Sequence, residues 1–146
     1  MNKYNCKSFL AISFSKGFNS PNIPIATFYQ GDKEINFIVD TGSDYNVIDK
    51  SALANIEHEK MQGSGTLTGL EGTQEVEGCN ISFGCDDKQY NELFLVSDTL
   101  KQAFDGMKFN HGIAICGMLG SMFLKKHNLV LDFNNMLIYN KSWSIL

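Results

Sequence analysis

The stretch Phe37-Ile38-Val39-Asp40-Thr41-Gly42-Ser43 decides how the fold of this chain is interpreted. Residues 35–39 form an apolar run that ends in a carboxylate, and a tight Thr-Gly turn follows it. A carboxylate at the end of a buried strand loses part of its hydration, and this is costly unless chemistry uses the group. A second apolar segment, Met118-Leu119-Gly120, ends 80 positions after Asp40. Asp40 is therefore the first candidate for a catalytic residue.

The composition is that of one globular domain. A chain of 146 residues is long enough to bury a core, and 43% hydrophobic against 19% charged residues argues against disorder. The net charge of −4 gives no reason to expect nucleic acid or an anionic membrane as a partner. All 12 basic residues are lysines, so the chain contains no arginine.

The N-terminal region and the cysteines bear on the compartment. The longest N-terminal apolar run, residues 9–12, is too short for a signal sequence or a membrane span, which predicts a cytoplasmic location. The four cysteines, at positions 6, 79, 85 and 116, are then interpreted as reduced structural thiols. A redox role for Cys116 is the alternative.

Most of the sequence reads as short strands separated by Gly, Asn and Asp, which predicts an all-β barrel or sandwich. The strands are expected in four antiparallel pairs: 23–29 with 34–39, 66–72 with 73–78, 81–83 with 90–96, and 129–133 with 136–139. Residues 97–112 are polar and are predicted to form a loop. Residues 121–127 predict a short helix, capped by Ser121 and packed through residues 122–124. No internal repeat is present.

Three segments together resemble the retropepsin-like aspartic proteases, the single-domain relatives of pepsin. They are residues 37–48 around Asp-Thr-Gly, the glycine-punctuated hairpin 65–78, and residues 117–133, where Met-Leu-Gly precedes a short helix and an apolar strand. The resemblance covers residues 23–140. It implies an all-β, retropepsin-like acid-protease barrel with a flap hairpin and one short C-terminal helix. Residues 23–146 would be the protease domain, and residues 1–22 an N-terminal extension with a possible interface strand.

The resemblance implies an aspartic endopeptidase, with Asp40, Thr41 and Gly42 as its catalytic residues. Such enzymes need two carboxylates that share one proton and one water molecule. Since this chain carries a single Asp-Thr-Gly, the second carboxylate must come from a second copy, and a homodimer follows. The implied partners are therefore a second copy and a peptide or protein substrate, with no cofactor and no metal. The terminal segments 8–14 and 142–146 are the candidate interface strands.

The same resemblance assigns seven residues to substrate binding: Ser43, Asp44, Val47, Leu70, Glu71, Gly72 and Leu119. The Ser43 hydroxyl is expected to donate to the Asp40 carboxylate, and Asp44 is expected to hold backbone N–H groups of the substrate. Val47 and Leu119 are expected to line apolar subsites. Residues 70–72 are expected to form the flap tip, which closes over the peptide and excludes water.

One position departs from the family pattern. Many retroviral relatives place an arginine directly after the loop glycine, paired with the acidic residue that matches Asp44, and here that position is Ser121. The departure leaves an alternative function open. The chain would then be a catalytically weak or inactive protease-like fold that acts as a peptide-binding or dimerisation module.

Overall fold

The computed structural model describes residues 11–19, 22–69, 72–85 and 88–140. The strands are β1 (Ala11–Ser13), β2 (Ile25–Gln30), β3 (Lys33–Val39), β4 (Asn46–Asp49), β5 (Glu59–Gly69), β6 (Gly72–Cys85), β7 (Lys88–Ser97), β8 (Ile115–Leu119), β9 (Leu129–Asp132) and β10 (Leu137–Asn140). The helices are α1 (Lys16–Asn19), α2 (Lys101–His111) and α3 (Ser121–Lys126), and a 3-10 helix spans Lys50–Asn55.

The described strands form two sheets. The larger sheet has seven strands in the order β2-β3-β8-β4-β7-β6-β5, and β2 also pairs with β6 at Tyr29 and Gly84, so that the sheet closes on itself. The smaller sheet has the order β1-β10-β9. The prediction of an all-β barrel is therefore confirmed, and so are the four predicted strand pairs, which are β2–β3, β5–β6, β6–β7 and β9–β10.

The segment predicted as a loop, residues 97–112, contains the helix α2, so that prediction is wrong. Phe104 is buried, and it belongs to a second apolar cluster with Ile25 and Ile115. Gly112 ends the helix with a positive φ of 70°, a conformation that suits glycine. Packing therefore stabilises a helix whose sequence has no side-chain cap and carries a glycine in its interior. No helix in the described ranges is long and apolar enough to cross a membrane.

The predicted C-terminal helix is confirmed as α3, but two of its details differ. Gly120, not Ser121, occupies the N-cap position, and no side chain caps the helix. Phe123 and Leu124 are buried as expected, whereas Met122 is 54% exposed. Because only one side of α3 packs against the sheet, Met122 faces outward and does not make the expected core contact.

An aromatic cluster fills the core of the barrel. Its rings contact one another at centroid separations between 5.0 and 6.0 Å in edge-on, tilted and stacked pairs. The members are Phe28, Phe37, Phe83, Tyr90, Phe94 and Phe123. Phe37 is fully buried, and it lies three residues before Asp40, so this cluster anchors the strand that carries the candidate catalytic residue.

The described part of the predicted N-terminal extension packs onto its own chain. β1 pairs with β10, with Ile12 opposite Ile138, and both side chains are buried. The Lys16 ammonium donates to Thr27 Oγ1 and Glu34 Oε1, both at 3.0 Å. The hydrogen bond from Lys16 to Glu34 and the positive charge of Lys16 hold the pKa of Glu34 below its usual range. Residues 8–10 and 142–146 lie outside the described residues, and the interface strands stay a prediction.

Candidate active site

Asp40 is positioned by the parallel pairing of two strands. Val39 at the end of β3 lies opposite Leu119 at the end of β8, and the Asp40 N–H donates to the Leu119 carbonyl at 2.9 Å. β8 lies between β3 and β4 in the sheet. The loop 40–45, which connects β3 to β4, must therefore cross the end of β8. The two sequence signals, 80 positions apart, meet at this crossing.

The loop residues hold the Asp40 carboxylate directly. The Gly42 N–H donates to Asp40 Oδ1 at 3.0 Å, and a Cβ at Gly42 would lie 3.2 Å from the same oxygen. The Ser43 hydroxyl donates to the Tyr45 carbonyl at 2.9 Å, so the expected hydrogen bond from this hydroxyl to Asp40 is not formed. The backbone satisfies the hydroxyl locally, as serine side chains in tight turns often do.

The first turn of α3 clamps the other side of the same loop. The Ser121 N–H donates to the Ser43 carbonyl at 2.8 Å, and the Met122 N–H donates to the Asp44 carbonyl at 3.1 Å. These are N–H groups that a helix leaves without internal partners. Gly120 directly precedes these two residues, and a Cβ there would stand 2.5–2.8 Å from the carbonyl oxygens of residues 43–45. The close approach therefore requires glycine at this position.

Asn46 is a structural residue of the site that the sequence interpretation missed. Its side chain is buried, its Oδ1 accepts from the Gly120 N–H at 3.0 Å, and its Nδ2 donates to the Leu93 carbonyl at 3.1 Å. One amide thus joins the start of β4 to β7 and to the residue that precedes α3. The available signal was a polar residue directly before the apolar pair Val47-Ile48 at a predicted strand start.

We expect Asn46→Ala to lower the free energy of unfolding by about 2 kcal/mol, because the buried Gly120 N–H and the partly buried Leu93 carbonyl lose their partner. Asn91→Ala is the matched control, since the Asn91 amide donates to Ser82 Oγ on the exposed surface. Its expected cost is below about 0.5 kcal/mol. Urea unfolding followed by fluorescence measures both values. Equal costs for the two variants would contradict the bridging role of Asn46.

A cleft of about 530 Å³ opens above the Asp40 loop. Four of the predicted site residues line it together with Asp40, namely Gly42, Ser43, Asp44 and Val47. Thr66 on the flap strand β5 lines it from another side. Ser97, Thr99 and Leu100, at the β7–α2 junction, also line it, and the sequence interpretation did not include them.

Leu119 differs from its expected place. It is 1% exposed within the aromatic core, and its neighbour Met118 lines the cleft instead. Successive side chains of a strand point to opposite faces, so only one of these two residues can face the cleft. The pairing of Met118 with Val47 places both on the cleft side of the sheet.

Thr41 and Gly72 are the remaining predicted site residues within the described ranges. The Thr41 side chain is exposed. Gly72 begins β6 opposite Gly69, with a positive φ of 121°, as glycine at a hairpin end permits. Leu70 and Glu71, the other two residues of the expected flap tip, lie outside the described residues.

The surroundings of the described cysteines bear on their reactivity. Cys79 and Cys116 are free thiols. Burial raises the pKa of Cys116 to about 12, and a thiol that stays protonated is a poor nucleophile. Among the described residues, no three His, Cys, Asp or Glu side chains are grouped so that they could hold a metal ion.

Comparison with known proteins establishes the class of fold. No family model matches the sequence, and no curated protein matches it. Among solved structures, the chain is similar to the EIAV protease complexed with the inhibitor HBY-793, with a TM-score of 0.53 and 19% sequence identity. The match covers 74% of this chain and 90% of that chain. The protein therefore has a retropepsin-like fold, that of a retroviral aspartic protease.

Proposed function

We propose that this chain is one half of a homodimeric aspartic endopeptidase, with Asp40 of each copy forming a catalytic dyad. One observation carries the proposal: the Asp40 carboxylate accepts a hydrogen bond from Gly42 and lines a cleft that the flap strand β5 also lines. The retropepsin-like fold supports it, because solved proteins of this fold include a protease with a bound inhibitor.

The proposed reaction needs two carboxylates that share one proton. The ionised Asp40 removes a proton from a water molecule as its oxygen attacks the scissile carbonyl carbon. The protonated Asp40 of the other copy donates its proton to the carbonyl oxygen. In the second half, the carboxyl group that took the water proton donates it to the amide nitrogen, and the other carboxylate takes a proton from one hydroxyl of the tetrahedral intermediate. The C–N bond then breaks, which leaves a carboxylic acid, an amine and a dyad that again holds one proton. No covalent intermediate with the protein forms, and the dyad titrates as a pair.

The cleft wall indicates the class of substrate. Val47 and Met118 face it from adjacent strands, and Leu100 faces it from the start of α2. These side chains favour apolar residues beside the scissile bond. Thr41 is proposed to contact the backbone of the partner copy, and residues 70–72 are proposed to close over the bound peptide.

Incubation of the protein with a diverse peptide library, with products identified by mass spectrometry, tests this function. We expect internal cleavage next to apolar residues, strongest in acidic solution, where the dyad holds its shared proton. A peptide with a hydroxyl in place of the scissile bond should inhibit by occupying the position of the water. Absence of products from acidic to neutral pH, at concentrations where sedimentation shows a dimer, would exclude the proposed endopeptidase activity.

A protease-like module without catalytic activity is the second candidate function. It is favoured by the presence of Ser121 at the position where the family resemblance places an arginine. The described residues include no cationic side chain paired with the Asp44 carboxylate, where the family resemblance places an arginine pair. A dimer that leaves the two Asp40 loops apart could bind peptides without cutting them. Peptide binding at full affinity together with absent cleavage would select this candidate.

A further inference from the structure

A second groove lies beside the candidate active-site cleft, and no step of the proposed reaction uses it. Its volume is about 580 Å³, and Tyr45, Leu93, Met122 and Lys125 are among the residues that line it. These four residues define what we call the distal groove. Tyr45 also lines the candidate cleft, so the two depressions share one lining residue.

Three large apolar side chains that line the distal groove are exposed to solvent. Among the described residues, Tyr45 is 46% exposed, Leu93 41% and Met122 54%, although each is large and apolar in character. They come from the loop 40–45, β7 and α3, so no sequence pattern brings them together. A contiguous exposed apolar surface in a concave place is typical of a binding site.

The carboxylate that lines the groove is paired within the protein. Glu92 is buried, with His127 Nε2 at 2.5 Å and Lys126 Nζ at 3.0 Å from its carboxylate oxygens. This arrangement neutralises the one acidic group of the lining. An apolar side chain that enters the groove therefore does not leave the Glu92 carboxylate without a partner. Lys125 adds an exposed positive charge to the lining.

We infer that the distal groove binds a bulky apolar side chain of the peptide substrate, several residues away from the scissile bond. The inference rests on the proposed function. The loop 40–45 joins the two depressions, since Asp40 lines the cleft and Tyr45 lines both. An extended peptide advances about 3.3–3.6 Å per residue, so a chain that leaves the cleft past Tyr45 reaches the groove with a distal residue.

The test uses dodecapeptides that share one cleaved centre and carry leucine or serine at each distal position in turn. At one position we expect leucine to raise kcat/KM about tenfold over serine, the size of effect that an apolar subsite provides. Met122→Gln should remove this preference and leave cleavage of a hexapeptide with the same centre unchanged. Leu93→Gln tests the opposite wall in the same way.

Phe109→Gln is the control, because Phe109 is 89% exposed on α2 and lines neither depression. It should keep the leucine preference. Equal rates for leucine and serine at every distal position, or equal losses for the hexapeptide and the dodecapeptides in Met122→Gln, would overturn the inference. Sedimentation adds a further check: loss of self-association in Met122→Gln would assign the groove to a second copy of the chain and overturn it too.

A binding measurement separates this inference from the proposed function. If the wild type cleaves no peptide, fluorescence anisotropy of labelled dodecapeptides on the Asp40→Asn protein still reports the groove. A lower dissociation constant for the leucine peptide than for the serine peptide, with the difference lost in Asp40→Asn/Met122→Gln, would support binding in the distal groove even though the proposed enzymatic function is wrong. Equal dissociation constants would overturn the groove, whether or not the protein cleaves.

Discussion

Asp40→Asn is expected to abolish cleavage, and mixtures with wild type should reveal that two chains share one site. The substitution keeps the shape of the side chain and removes the ionisable group, so it should lower the rate by about a thousandfold or more. A dimer with one variant chain has a single carboxylate and cannot divide the acid and base roles. With free subunit exchange, activity should follow the square of the wild-type fraction.

The mixing series is measured at constant total protein, after exchange long enough for rates to stop drifting. An equal mixture should retain about one quarter of the activity, whereas a monomeric enzyme would retain about one half. Asp32→Asn, at an exposed position between β2 and β3, is the control and should leave the rate unchanged in every mixture. A straight line through the Asp40→Asn series would rule out the shared dyad.

Gly120→Ala is expected to have the second largest effect, on both folding and cleavage. The new Cβ would stand 2.5 Å from the Tyr45 carbonyl oxygen, 2.7 Å from that of Asp44 and 2.8 Å from that of Ser43. The backbone conformation of Gly120 suits any residue, with φ of −92°, so the effect is steric alone. α3 must move away from the loop 40–45, at a cost of about 3 kcal/mol in the free energy of unfolding.

The same displacement should lower kcat/KM by about a hundredfold, since a shift near 1 Å in a positioned group has that effect. Gly106→Ala is the matched control, because Gly106 is inside α2 and no atom other than those of its chain neighbours and its own helix backbone lies within 4 Å of its Cβ position. Alanine there should stabilise the protein by about 0.5–1 kcal/mol. Urea unfolding and peptide cleavage measure both variants. If the Gly120→Ala protein is as stable and active as the Gly106→Ala protein, the close contact between the start of α3 and the loop 40–45 is not required.

Local patterns in the sequence were sufficient for most of the fold. Strand alternation and turn residues predicted the four hairpin pairs, because both signals lie within a few neighbouring residues. The Asp-Thr-Gly turn after an apolar run likewise predicted where β3 ends and which carboxylate faces the cleft. The helix α2 was missed, since Gly106 and the absence of a side-chain cap weaken its local signal. Phe104 stabilises it through contacts with Ile25 and Ile115.

The candidate site needed information that no local pattern contains. Whether Met118 or Leu119 faces the cleft depends on the register of β8 between β3 and β4. Asn46 acquires its role from partners 74 and 47 positions away, Gly120 and Leu93. The sequence by itself therefore determined the strands and the identity of the candidate catalytic aspartate. Only the tertiary structure decided which neighbours surround it, because strand pairing across the barrel brings distant residues together and selects one face of each strand.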